Sequence, residues 1–200
     1  MKKIFFFDFD GVIVDSLKNM EISWDHVCKK FQLNCSFSDY KKHIGKPFKV
    51  ILDNLGIYEN QELIKIEYEN VSLLQIEEIS LVKNVEKIFE LMNKKKIFRV
   101  LYTSKSFHRL NFLLNKFDLK FNQIYCPGRG KYLKPDPHPI YIELKNNKLD
   151  KKHALFIGDS ETDYLTSKNS GIDYVNVEWG YEKLDNVETI YDIKDLSRYF

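Results

Sequence analysis

Four aspartates carry the clearest chemical signal in this sequence. Asp8 and Asp10 lie two residues apart at the end of a short apolar segment, so in an extended chain both carboxylates face the same way. Carboxylates this close repel each other, and a bound cation is the usual relief. With Asp159 and Asp163 they form a set of oxygen ligands that suits Mg²⁺ rather than zinc. An aspartate can also act as a nucleophile and form an aspartyl-phosphate.

Three further residues fit phosphoryl transfer, which depends mainly on positioning and charge neutralisation. Thr103 and Ser104 stand between an apolar segment and an amphipathic one, so a hydroxyl and the amides of a helix N-terminus could hold a phosphate there. Lys134 offers a fixed positive charge on a loop. Each feature is common in turns and helix caps when it stands alone. Their shared position after predicted strands is what links them.

The elements that must position these residues alternate between strand and helix. The patterns predict strands at 2–8, 97–102, 123–126, 154–157 and 174–177, and helices at 84–92, 107–117, 139–146, before Gly171 and in the tail from Asp192. This alternation predicts an α/β fold with a doubly wound, Rossmann-like parallel sheet. Because ligands of such sheets bind beyond the carboxyl ends of the strands, we expect the polar residues to meet there.

Residues 16–82 have a different character, because they are polar, helically spaced and without a strong strand pattern. Ser16 is a plausible N-cap for the first of these helices. We therefore expect an α/β core domain of residues 1–15 and 83–200, and an all-helical cap domain of residues 16–82 inserted after the first strand.

The composition is that of an ordinary soluble globular protein: 200 residues, 44% hydrophobic, 30% charged and a net charge of +2. This balance gives no reason to expect nucleic acid or a membrane surface as a partner. No apolar run is long enough to span a bilayer, and a cytoplasmic location is expected. Cys28, Cys35 and Cys126 contain no C-x-x-C pair, which favours free thiols over a disulfide or a zinc site.

Four motifs in this order resemble those of the haloacid dehalogenase-like superfamily, over nearly the whole chain. They are D-F-D-G-V from Asp8, T-S from Thr103, K-P from Lys134 and G-D-S-E-T-D from Gly158. Residues 16–82 resemble the small helical cap of the branch that holds phosphoglycolate phosphatase-like and phosphoglucomutase-like proteins. The resemblance implies a Mg²⁺-dependent phosphatase that acts on a small phosphorylated metabolite.

The resemblance also implies a role for each matched residue. Asp8 would be the nucleophile, and Asp10 the general acid and base, with its backbone carbonyl on Mg²⁺. Thr103 would bind the transferring phosphoryl group with the amide of Ser104, and Lys134 would balance charge beside Asp8. The last motif would complete the metal site, with Asp159 as a ligand and Asp163 as a support that acts directly or through water.

Other functions are also compatible with these residues. A phosphomutase would use the same core, although phosphoglucomutase-like members carry a histidine where this chain has Met20. A response-regulator receiver domain also phosphorylates an aspartate beside Mg²⁺, but it needs no helical insertion after the first strand. A non-catalytic binding protein is the third alternative, although no catalytic position is lost.

The segment that leads from the cap back to the core differs from that of many members of the superfamily. It has Lys83-Asn84 where they have Pro-Gly.

Substrate recognition is assigned to the cap and one loop. Lys46, in the turn Gly45-Lys46-Pro47, and Arg129, on the loop leading to Lys134, are expected to face the cleft and to bind an anionic small molecule. Lys49 is a weaker candidate. Phosphoglycolate, a sugar phosphate, a polyol phosphate and a nucleotide all fit this description, and no sequence feature defines the oligomeric state.

Overall fold

A computed structural model describes all 200 residues. Its main sheet has six parallel strands: β1 (Ile4–Phe7), β4 (Phe98–Tyr102), β5 (Gln123–Tyr125), β6 (Ala154–Gly158), β7 (Asp173–Val177) and β8 (Thr189–Ile190). Across the sheet they follow the order β5-β4-β1-β6-β7-β8. The predicted α/β class and doubly wound sheet are confirmed.

β1 lies in the middle of the sheet because its side chains are apolar on both faces. Phe5 and Phe7 pack into one core, and Ile4 and Phe6 into a second core on the opposite face, all without solvent exposure. The neighbours on either side of β1 are β4 and β6. Their carboxyl ends therefore lie next to the residues that follow Phe7.

Helices cover both faces of this sheet. α5 (Val85–Lys94), α6 (Phe107–Lys116) and a 3₁₀ helix (Ile193–Tyr199) supply the first core, and α7 (His138–Asn146) supplies the second. α8 (Glu161–Ser170) follows β6 and ends at Gly171, which has a left-handed backbone (φ 74°). The helical patterns in this half of the chain are confirmed, and the predicted helical tail is a 3₁₀ helix.

Between these elements the chain forms a helical insertion with its own core. Its helices are α1 (Leu17–Phe31), α2 (Phe37–Lys41), α3 (Phe48–Asn54) and α4 (Gln61–Leu74). Trp24, Tyr40, Leu52 and Tyr68 are among the residues of this core. A 3₁₀ turn (Ile76–Glu78) follows α4. None of the chain's helices combines the length and the apolarity that a membrane span requires.

Three details differ from the expectations. The last strand of the main sheet, β8, was not predicted. The insertion is joined to the sheet by a two-stranded antiparallel ribbon, β2 (Val14–Asp15) with β3 (Ser80–Leu81), where no strand was predicted. Strands of two residues carry no periodicity, and their pairing partner lies far away in the sequence. Ser16 does precede α1, but its hydroxyl makes no cap hydrogen bond and instead donates to Asp10 at 2.5 Å.

The three cysteines are free, and Cys28 and Cys35 lie with their sulfur atoms 3.7 Å apart.

Candidate active site

The carboxyl ends of the three central strands bring the predicted residues together. Asp8 follows β1, Thr103 follows β4 and Asp159 follows β6, and all three are buried. Asp163 reaches the same place from the first turn of α8, and Lys134 from the loop before α7. The parallel register of β4, β1 and β6 is what makes residues from distant parts of the sequence neighbours.

Asp8, Asp159 and Asp163 form a buried cluster in which carboxylate oxygens lie within 4.8 Å of one another. Gly11, Gly158 and Gly180 make this approach possible, because a Cβ at any of them would overlap Asp159 or Asp163. Gly11 also has a positive φ of 80°, which favours glycine. Burial and the neighbouring carboxylates raise the pKa of Asp8 to about 6 and raise that of Asp159 well above its ordinary value.

Lys134 lies inside this cluster with its ammonium 2.8 Å from Asp8 Oδ1 and 2.6 Å from Asp163 Oδ1. Burial lowers the pKa of Lys134, but the charges of Asp163 and Asp8 outweigh burial and hold the pKa above its ordinary value. Asp163 is held further by Ser160, whose hydroxyl donates at 2.7 Å, and by the Asp159 amide at 3.2 Å. The lysine is therefore a permanent cation next to Asp8.

The donor set fits Mg²⁺. Lys134 is the only cation within this cluster of three buried carboxylates, so negative charge is in excess there. The raised pKa values of Asp8 and Asp159 are consistent with that excess. Hard carboxylate oxygens are the ligands of Mg²⁺. The Asp10 carboxylate does not belong to this cluster, which limits its predicted metal role to the backbone carbonyl.

Asp10 instead pairs with a residue that the sequence analysis missed. The ammonium of Lys105 lies 2.8 and 3.1 Å from its two carboxylate oxygens, and both side chains are buried. Burial raises the pKa of Asp10, but Lys105 and then Arg109 outweigh burial and lower it. Burial and the charge of Arg109 lower the pKa of Lys105 to about 8, in spite of its pairing with Asp10. Only the position of Lys105, two residues after Thr103 at the same strand end, could have indicated it.

Thr103 and Ser104 follow β4, where the sheet contacts the insertion. Thr103 lines a cavity beneath the insertion, and its hydroxyl accepts a hydrogen bond from the Lys105 amide at 3.2 Å. The Ser104 hydroxyl donates to the carbonyl of Gly45 at 2.8 Å. Gly45 has a φ of 94°, and a Cβ there would come within 2.9 Å of Ser160 Oγ. The Gly45-Lys46-Pro47 turn therefore sits directly on the strand-end loops.

A cavity of about 490 Å³ lies between the strand ends and the helical insertion. Asp8, Asp10, Thr103 and Lys105 line one end of it. Much of the remaining wall is apolar and comes from the insertion: Met20, Tyr40, Ile44, Phe48, Ile51, Leu52 and Tyr68. Pockets of this size hold small molecules, usually with a few polar groups that fix orientation.

The two residues predicted to bind the substrate, Lys46 and Arg129, lie in different places. Lys46 lines the cavity, as does Lys49, which forms an ion pair with Asp53 at 2.8 Å. Arg129 is exposed and absent from the lining, with its guanidinium over the Phe107 ring at 5.1 Å from the centroid. Arg129 therefore lies outside the cavity, against Phe107. The cavity has another arginine, Arg109 of α6, which the sequence analysis did not single out because it reads as an ordinary helical position.

The fold and the site define a doubly wound α/β protein with a buried cluster of three carboxylates beneath a helical insertion. The family model described as haloacid dehalogenase-like hydrolase matches residues 5–177. The chain belongs to this hydrolase family, as its four motifs predicted.

Individual relatives extend over almost the whole chain. The pyrophosphatase PpaX of Oceanobacillus iheyensis is 19% identical over 95% of this chain and 92% of its own length. The phosphoglycolate phosphatase of Pasteurella multocida is 25% identical over 90% and 87%. Among solved structures, a hydrolase from Pseudomonas syringae has a TM-score of 0.87 at 20% identity and covers 99% of this chain and 97% of its own. At that identity the structural likeness supports the fold.

Proposed function

We propose that this hydrolase is a Mg²⁺-dependent phosphatase that cleaves a small-molecule phosphomonoester through an aspartyl-phosphate on Asp8. The observation that carries the proposal is the convergence of Asp8, Asp10 and Thr103 on one cavity, with Lys134 directly behind Asp8. Relatives named as phosphatases and a pyrophosphatase support the same chemistry.

Asp8 would attack phosphorus, because it is the carboxylate that both lines the cavity and touches Lys134. Lys134 would keep Asp8 ionised and offset the charge of the phosphoryl oxygens. Thr103, with the Ser104 amide, would orient the transferring group. Asp8, Asp159 and Asp163 would hold Mg²⁺, which when bound supplies charge neutralisation at the phosphoryl oxygens.

Asp10 would protonate the leaving oxygen and then accept a proton from the hydrolytic water. Its lowered pKa suits the second task, because the free carboxylate is ready as a base. A phosphoryl dianion beside Asp10 raises that pKa by like-charge repulsion, which favours uptake of the proton needed for the first task.

Residues 16–82 would act as a cap domain on the core domain of residues 1–15 and 83–200. The contact of Ser104 with Gly45 and the position of Lys46 support closure over the site, which excludes water from the reaction. A cavity of about 490 Å³ accommodates a small phosphorylated metabolite rather than a nucleic acid. A cytoplasmic location, where thiols stay reduced, is part of this proposal.

A phosphomutase is the alternative, and one observation weighs against it. Met20 lines the cavity at the position where mutases carry a histidine, and no histidine lines the cavity at all. The nearest histidine in the sequence, His26, is exposed and pairs with Glu67 at 2.7 Å.

The test is a phosphate-release screen over a panel of phosphorylated metabolites with Mg²⁺, with Asp8→Asn as the control. Release of inorganic phosphate by the wild type alone is the expected result. An isomerised sugar phosphate without net phosphate release would identify a mutase. Borohydride added during turnover should reduce the acyl phosphate and leave homoserine at position 8, detected by peptide mass spectrometry.

A further inference from the structure

Arg109 is a buried cation that lines the cavity and that none of the proposed catalytic roles uses. It projects from α6, and only 7% of the residue is exposed. Buried arginines are rare unless a counter-charge or a full set of acceptors satisfies them. The contacts of Arg109 therefore indicate what it is for.

The partners of Arg109 are neutral and come from the helical insertion. Nε and Nη2 donate to the hydroxyl of Ser72 at 3.1 and 2.7 Å, and the guanidinium lies over the Tyr68 ring, 5.0 Å from its centroid. The Ser72 hydroxyl donates in turn to Asn19 at 2.6 Å. This network fixes the orientation of the guanidinium but adds no negative charge.

No carboxylate of the protein forms an ion pair with Arg109. The buried ion pairs of the site use Lys105 and Lys134. Two other acids line the cavity, but both are more exposed than Arg109: Glu62 pairs with Lys65 at 3.3 Å, and Glu69 is half-buried. The buried carboxylate whose pKa Arg109 lowers, Asp10, is already paired with Lys105, so Arg109 has no ion-pair partner of its own in the protein.

Arg99 is a second buried arginine of this chain and lies in the core, where its two terminal nitrogens have carbonyl acceptors and its Nε has no hydrogen-bond partner. Its guanidinium lies over the Phe89 ring and donates to the carbonyls of Phe89 at 2.8 Å and Lys120 at 3.2 Å, away from the cavity. Arg109 has the aromatic neighbour but a single hydroxyl in place of the two carbonyls. This contrast distinguishes an arginine turned to a cavity from one built into the core.

We propose that Arg109 binds a second anionic group, a carboxylate or a second phosphate, on the leaving part of the substrate and selects esters that carry one. This inference rests on the proposed phosphatase function and specifies its substrate class. The planar guanidinium matches both anions, and a charged hydrogen bond in a buried site discriminates strongly against a neutral replacement. Arg109, which lies inside the cavity, thus takes the substrate-binding role that the sequence predicted for Arg129.

The test compares phosphoglycolate with 2-hydroxyethyl phosphate, which replaces the carboxylate by a neutral alcohol of similar size, and includes pyrophosphate as the second-phosphate arm. We expect the wild type to prefer at least one anionic substrate by about tenfold or more in kcat/KM. Arg109→Gln should reduce that preference by about tenfold to a hundredfold, the range for a lost charged hydrogen bond. Arg99→Gln is the matched control and should leave the preference unchanged.

The arm that loses its preference in Arg109→Gln identifies the group as a carboxylate or a phosphate. Equal losses on the anionic and neutral substrates, in a variant with a cooperative melt, would overturn the inference and leave the phosphatase function intact. If Arg109→Gln does not fold, the same comparison is made with Arg109→Lys, which keeps the charge but loses the planar guanidinium.

A binding arm separates failure of the inference from failure of the proposed function. Calorimetry with the wild type compares phosphonoacetate with ethylphosphonate, and phosphonoformate with methylphosphonate, none of which needs turnover. Tighter binding of a doubly anionic compound by about tenfold supports the inference even if no ester is hydrolysed. Affinities within about threefold in both pairs would refute it.

Discussion

Replacing Asp8 by asparagine should abolish turnover and at the same time stabilise the metal-free protein at neutral pH. The Asp8 carboxylate is buried beside Asp163 and Asp159, and its pKa is raised from 3.8 to about 6, with burial as the largest cause. A carboxylate whose pKa is higher in the folded state destabilises the fold when it is ionised. The penalty is present above pH 6 and disappears as the pH falls towards 4.

The size of this effect follows from the raised pKa. A change from 3.8 to about 6 corresponds to about 3 kcal/mol, at 1.36 kcal/mol per pH unit. Asparagine is nearly isosteric and carries no charge. It does not leave Lys134 unpaired, because the ammonium keeps Asp163 at 2.6 Å. For a protein of this size, a gain of about 3 kcal/mol raises the melting temperature by about 6–12 °C, and relaxation around the wild-type charge places the expected value at the lower end.

The assay is thermal unfolding in EDTA at pH 7.5 and pH 4.5, with phosphate release measured in parallel with Mg²⁺. We expect Asp8→Asn to melt above the wild type at pH 7.5, with the difference largely lost at pH 4.5. Asp185→Asn, an exposed aspartate without an ion pair, is the matched control. A variant that melts at or below the wild type at pH 7.5 would refute the electrostatic reasoning, and retention of a tenth of the activity would refute the nucleophile.

Three further predictions concern the metal and the cavity. Mg²⁺ should raise the melting temperature of the wild type more at pH 7.5 than at pH 5, because protons compete for Asp8 and Asp159, and EDTA should remove both this shift and the activity. In steady-state assays, Lys46→Ala should raise KM for the true substrate by about tenfold, because Lys46 lines the cavity. Arg129→Ala should leave KM unchanged, because Arg129 lies on Phe107 outside the cavity. A larger rise in KM for Arg129→Ala than for Lys46→Ala would contradict these positions. Gly11→Ala should abolish Mg²⁺ binding in titration calorimetry, since its methyl group would overlap Asp159; normal binding would show that the loop yields easily.

Local patterns in the sequence predicted five of the six strands of the main sheet and the polar residues that follow three of them, but not the two-residue strands β2, β3 and β8. β1 is a run of four apolar residues, and such a run can be buried on both faces only in the middle of a covered sheet. Because the strands are parallel, Asp8, Thr103 and Asp159, which follow three of them, lie at the same edge of the sheet. The four motifs, in their order along the chain, predicted the hydrolase family whose model matches residues 5–177.

Tertiary structure decided the residues whose significance depends on their neighbours. Lys105 and Arg109 have no distinguishing local pattern, and they matter because the strand-end loop and α6 bring them to the cavity under the helical insertion. Arg129 stood on the expected loop, yet its side chain packs on Phe107. Backbone periodicity follows from residues within a few positions of one another. Ion pairing, burial and side-chain direction follow from contacts between residues that are far apart in the chain, and only the folded structure sets those contacts.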